Sequence, residues 1–195
     1  IASGNPAVLT MAETEAALQR LAVLAKHHED EQYVARVKVR DLPHLLAEHN
    51  QQLTRLQEDK RIVQAQGNIV TPFMLNGQPT AEADALASMT IQLQQLPPLV
   101  TTPIPVCLGT YLGLQVTLTL HPYALPEVSL TGQATVRAAL TRRATGPRAI
   151  LNAAQRLAGE YESRCLVLAQ DIRVQERQLQ DYTAQLGKPF PLADY

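Results

Sequence analysis

The chain contains no tryptophan and only two phenylalanines, and aromatic residues fill 4% of its 195 positions. Large rings normally supply much of a globular core, so a single globule packed around aromatics is a poor fit. Cysteine is equally scarce. Cys107 and Cys165 lie far apart in apolar surroundings, which reads as two buried thiols in a reducing compartment rather than a disulfide framework. No run of 18 apolar residues exists and no signal-peptide pattern opens the chain, so no membrane partner is expected. With a formal net charge of −1, the chain has no general excess of cations to coat nucleic acid or an anionic membrane along its length. A soluble, cytoplasmic piece is the expectation. Its opening at Ile1 rather than Met suggests a fragment of something longer.

Catalytic patterns are also missing. There is no Gly-x4-Gly-Lys-Ser/Thr loop and no Gly-x-Gly-x-x-Gly after a strand. Gly109-Thr110-Tyr111-Leu112-Gly113 flanks strand residues with glycines and reads as a bulge or tight turn. The histidines do not converge: His27 and His28 are neighbours on different helix faces, and His44 and His49 are five apart, not four. His49 reads as a polar position within an apolar seam. Neither cysteine has a Cys-x-x-Cys neighbour, and Ser3, Ser88, Ser129 and Ser163 lack a Gly-x-Ser-x-Gly elbow. Glu29-Asp30-Glu31 is most simply a solvated helix face. The fragment is therefore expected to be no enzyme, with no cofactor and no metal.

What is present is abundant Ala, Leu, Val and Gln within a 46% hydrophobic composition, suited to helices packed side by side. Residues 1–67 read as helical. Asn5 before Pro6 is an N-cap with proline at the first helical position. Leu18, Leu21, Leu24/Ala25, Val34 and Val37 give a first stripe, and Asp41-Leu42-Pro43 is expected to interrupt or kink the helix. Leu42, Leu46, His49, Leu53, Leu56, Lys60 and Val63 then recur in steps of four and three. Residues 68–146 change character, with more Pro, Gly, Thr and Val. A short strand at Ile69 to Leu75, a turn at Asn76-Gly77 and a Thr80-capped helix from Ala81 to Leu96 are expected. After a proline-rich link, Pro97 to Pro105, Leu114, Val116, Leu118 and Leu120 alternate with polar residues as in a half-buried strand. Val128/Leu130 and Ala134/Val136/Ala138 suggest two more strands in an antiparallel meander. Residues 147–195 carry a last helix, with Ile150, Ala154, Leu157, Tyr161, Cys165, Leu168, Ile172, Gln175, Leu179, Tyr182 and Leu186 in one stripe. Unbroken, it would span about 55–60 Å, until Gly187-Lys188-Pro189 stops it. The expected fold class is α+β: a long antiparallel helical coiled coil with a small inserted antiparallel β-rich knob. A parallel homodimer is the structural alternative.

One electrostatic feature stands out. No acid falls between Glu127 and Glu160, whereas Arg137, Arg142, Arg143, Arg148 and Arg156 all do. Beside Gly146-Pro147 at a helix N-terminus, these form a candidate phosphate-binding patch. The alternative is a solvated rim whose acids lie on another helix.

The order of motifs resembles the tail of very large bacterial, plasmid and phage proteins that join a Snf-type superfamily-two helicase, in many members, to an adenine-specific DNA methylase. The resemblance spans nearly the whole chain: the opening Ala2-Ser3-Gly4-Asn5-Pro6 with Asp41-Leu42-Pro43; Phe73-Met74-Leu75-Asn76-Gly77 followed by a helix from Ala81; Gly109-Thr110-Tyr111-Leu112-Gly113-Leu114; Gly146-Pro147-Arg148-Ala149-Ile150-Leu151-Asn152-Ala153; and Gly187-Lys188-Pro189-Phe190. Leu114 replaces the usual aromatic, Pro147 replaces a more flexible residue, and Arg148 and Asn152 are one position out of register with the family spacing. The resemblance implies a parent with ATP-dependent helicase or translocase activity and a mobile-element setting. The fragment's expected partners are then DNA and the motor of the same chain. On this reading it is a non-catalytic accessory module whose coiled-coil arm positions the small domain. A protein-interaction or dimerisation scaffold is the alternative.

Overall fold

Asn5 opens the first helix as its chemistry predicts. Its Oδ1 accepts the Ala7 N–H at 3.2 Å and its carbonyl accepts those of Val8 and Leu9, while Pro6 occupies the first helical position, where a missing N–H is harmless. The computed structural model describes residues 5–191, so the first four residues of the opening motif lie outside it. Helix α1 runs Pro6–Ala65 and continues through Pro43 without interruption. The proline ring faces solvent while its neighbour Leu42 is buried, so packing on one face outweighs the lost hydrogen bond on the other. All seven residues of the stripe from Leu42 to Val63 are buried or half-buried. Toward the N-terminus the same four-three spacing continues through Val39, Ala35, Gln32, His28, Ala25 and Leu21. Leu18, Leu24 and Val34 of the expected first stripe are exposed instead.

The remaining elements are β1 (Phe73–Leu75), β2 (Gln78–Pro79), α2 (Glu82–Gln94), β3 (Ile104–Tyr111), β4 (Leu114–Leu120), β5 (Glu127–Thr131), β6 (Thr135–Ala139), α3 (Pro147–Gly159) and α4 (Tyr161–Gln185). They form two compact units, one made of the chain through Glu48 and from Asp171 onward, the other His49–Gln170. These divisions fall inside α1 and α4, whereas composition changes near residues 67 and 146.

In the first unit, α1 and the end of α4 run in opposite directions. Gln32 Nε2 donates to the Gln185 carbonyl and Gln32 Oε1 accepts the Gly187 N–H, both at 2.8 Å. A ring nitrogen of His28 lies 3.0 Å from the Lys188 carbonyl. Polar side chains of the α1 stripe thus satisfy backbone groups that the end of a helix leaves open. Gly187, at φ 78°, supplies the left-handed stop.

In the second unit, six strands form one antiparallel sheet in the order β2-β1-β3-β4-β5-β6. The meander is as expected, but β3 is an addition. Pro105 in its second position masked it within the proline-rich link, and proline is tolerated near a strand's start. Gly109, at φ 134°, forms a bulge in β3, and Leu112-Gly113 is the tight turn into β4. The first expected strand is confined to β1, and Asn76-Gly77 turns it into β2 with both residues at positive φ. Thr80 does not cap α2. Its hydroxyl donates to the Gln78 carbonyl and accepts the Leu75 N–H, closing the β1–β2 hairpin, and Ala81 takes the cap position.

One sheet face is apolar. Leu114, Val116, Leu118, Val128, Leu130 and Val136 pack with Ile150, Ala154 and Leu157 of α3 and Met89 of α2. The single expected C-terminal helix is two. The Glu160 N–H bonds back three residues to the Leu157 carbonyl just after Gly159, a residue that weakens a helix. Helix α4 alone, with 25 residues, spans about 38 Å, and Leu186 beyond it is exposed.

A buried carboxylate fixes the far turn of the sheet. Asp59 of α1 is 0% exposed and accepts the Gln133 and Ala134 N–H groups at 2.6 and 2.8 Å. Gly132 leaves it room, since a Cβ there would fall 2.2 Å from Asp59 Oδ1.

Candidate nucleic-acid interface

The second unit does not gather the five arginines into one patch. Arg148, in the first turn of α3, pairs with Glu82 of α2. Arg156 lies 3.8 Å from Glu160, whose carboxylate also holds Arg164 at 2.9 Å. Arg137 is exposed on β6, opposite Ser129 on the polar face of the sheet. Arg142 and Arg143 occupy a turn between β6 and α3 that is closed by the Ala144 N–H on the Thr141 carbonyl. Arg137, Arg142 and Arg143 make no ion pair among the described residues. The sequence spacing joined residues that the fold divides into two neutralised arginines and three available ones.

Strand register reveals a surface that the spacing did not. Ile104 pairs with Leu120, Thr119 with Glu127, and Glu127 with Ala139. The start of β3, the end of β4, the start of β5 and the end of β6 therefore share one end of the sheet. Three connections leave from it: residues 95–103, 121–126 and 140–146. The Leu140 N–H donates to the Pro126 carbonyl at 2.8 Å, joining the second to the third. The opposite end carries the Leu112-Gly113 and Gly132-Gln133 turns and is occupied by α1, through Ile62 and Gln66 beside Gly113 and Asp59 beside Gly132.

The three-loop end is chemically distinctive. Tyr123 is 99% exposed and Leu99 is 89% exposed, and Arg142 and Arg143 add two cations. Glu127 is the nearest acid along these segments, and it is half-buried with its Oε2 3.2 Å from the His121 ring. Tyr123 and Leu99 were missed in the sequence. The available signal was apolar residues set among prolines, as in Pro97-Pro98-Leu99-Val100 and Pro122-Tyr123-Ala124-Leu125-Pro126.

A concavity of about 400 Å³ lies among the β1–β2 turn, the β3 bulge and α2. Cys107 is exposed there and accepts a hydrogen bond from Gln115 Nε2 at 3.3 Å. Ser88 and Gln92 add neutral polar groups. Among the described residues no group of three His, Cys, Asp or Glu is placed to hold a metal ion, and no helix is long and apolar enough to cross a membrane. No family model matches the chain, and neither a curated protein nor a solved structure matches it.

Proposed function

We propose that the chain is a non-catalytic accessory module that contacts DNA through the three-loop end of its sheet. The observation behind this is the pair Arg142 and Arg143, exposed and without an ion pair among the described residues, on a turn held to the neighbouring loop by backbone bonding. Guanidinium groups in that state donate to phosphate oxygens without first breaking a salt bridge. Helices α1 and α4, with their matched four-three stripes, act as an antiparallel coiled-coil arm that positions the module. The motif order supports a helicase- or translocase-like parent, whose motor would be the module's partner in the same chain.

The test is fluorescence anisotropy with a labelled duplex at two salt concentrations. Arg142→Glu with Arg143→Glu is expected to weaken binding at least tenfold and to flatten the salt dependence by about two units of slope. Arg148→Ala with Arg156→Ala, at positions already paired with Glu82 and Glu160, is expected to change it little. No binding at low salt, or equal loss in both variants, overturns the proposal.

A protein-interaction role is the second reading, and a specific observation favours it. Val8, Leu9, Met11, Leu18 and Val23 of α1 are each more than half exposed. Concentration-dependent mass in sedimentation equilibrium, abolished by Leu18→Glu, would support that reading.

A further inference from the structure

We infer that the three-loop end selects single-stranded nucleic acid, with an unpaired base stacked on Tyr123 and the adjoining phosphates held by Arg142 and Arg143. This rests on the DNA-contact reading above and adds to it the form of nucleic acid recognised.

Cations alone do not distinguish a duplex from a single strand, because both present phosphates. Base faces do: in a duplex they are stacked on one another, and in a single strand they are free. A ring 99% exposed on a soluble surface is the complement of such a face, since stacking on an aromatic is available to every base regardless of sequence. Leu99, 89% exposed, is on a loop that leaves the same end of the sheet.

The cations are close enough to serve the same strand. The Pro126 carbonyl accepts the Leu140 N–H, so Tyr123 is three residues from one side of that bond and Arg142 two from the other. Five residues at the reach of an extended chain, with about 5 Å across the hydrogen-bonded pair, separate their Cα atoms by about 23 Å at most, the scale of a few nucleotides. The available charge also complements a polyanion. Arg142 and Arg143 have no acid paired with them among the described residues, while Glu127 faces His121. A protein partner would find the apolar residues attractive, but it would leave these two adjacent cations to be matched by acids of its own. A nucleic-acid strand supplies base faces and phosphates in alternation.

The experiment uses the whole chain and two labelled probes, a twelve-nucleotide oligothymidylate and a twelve-base-pair duplex, at low salt. The wild type is expected to bind the single strand about tenfold more tightly than the duplex. Tyr123→Ala is expected to remove that preference while leaving duplex binding within about twofold, and Tyr123→Phe to restore it, because stacking needs the ring and not the hydroxyl. Tyr123 is outside the core, so folding is not at issue in either variant. Equal binding of both probes by the wild type overturns this inference and leaves the DNA-contact reading standing. A single-strand preference that survives Tyr123→Ala overturns the assignment to this site. Failure to bind either probe overturns the inference together with the reading beneath it, and leaves the loop end as a surface for protein.

Discussion

Asp59 and Gly132 make a coupled pair whose energetics follow from their geometry. Asp59 is fully buried, and its two oxygens accept the N–H groups of Gln133 and Ala134. Hydrogen bonds to a charged group contribute about 1.5–3 kcal/mol each. Gln133 is exposed, so its N–H regains water when the carboxylate is removed, whereas Ala134 is half-buried and recovers less. Asp59→Ala is therefore expected to cost about 2–4 kcal/mol, a large share of a typical stability of about 5–15 kcal/mol. Gly132→Ala places a Cβ 2.2 Å from Asp59 Oδ1 and 2.7 Å from Leu114 Cδ2, which displaces the carboxylate and forfeits the same bonds. Because each substitution destroys one shared interaction, the double variant is expected to fall short of the sum by at least about 1.5 kcal/mol. Urea denaturation of the four proteins, followed by circular dichroism, measures this directly. Costs that add to within about 0.5 kcal/mol would refute the coupling.

Other consequences can be checked on the same material. Among the described residues the buried Tyr161 hydroxyl has no hydrogen-bond partner, so Tyr161→Phe is expected to leave stability unchanged or raise it by up to about 1 kcal/mol. Burial first, and the neighbouring Asp59 second, hold the Tyr161 phenol above its ordinary value of 10.0. The unfolded chain therefore releases this proton before the folded one. The stability tied to it is intact below about pH 10 and is lost as pH rises beyond. Urea midpoints at pH 8 and pH 10.5 should diverge less for Tyr161→Phe than for the wild type. Gly159 has open space around it, and Gly159→Ala is expected to stabilise the junction of α3 and α4 by about 0.5–1 kcal/mol in the same titration. Cys107 is exposed and Cys165 is buried, with its thiol pushed up by that burial; a thiol reagent should modify one cysteine per native chain and two after unfolding.

Large aliphatic residues made part of this architecture legible. Leu42 through Val63 and Ile150 through Tyr182 announced their buried faces because most turns carry a residue that water disfavours. The continuation through His28, Gln32 and Ala35 was hidden, since those positions are held by a small side chain and by hydrogen bonds to the end of α4. Strand β3 was obscured by Pro105, and the break at Glu160 by a stripe that keeps its spacing across it. For the arginines, Arg156 with Glu160 is a four-residue helical spacing that the sequence displays. Arg148 with Glu82 joins residues 66 positions apart, and only the packing of α3 on α2 brings them together. The three-loop end needed the strand register, because Leu99, Tyr123 and Arg142 share no local pattern.

Whether DNA meets the three-loop end is the central question. It is read most directly by a backbone amide chemical-shift map of the isotope-labelled chain titrated with the twelve-nucleotide strand. Shifts are expected to concentrate in the non-proline residues of 97–103, 121–126 and 140–146. Shifts confined to residues 6–27 of α1, or to the polar sheet face around Thr117 and Ser129, would contradict it.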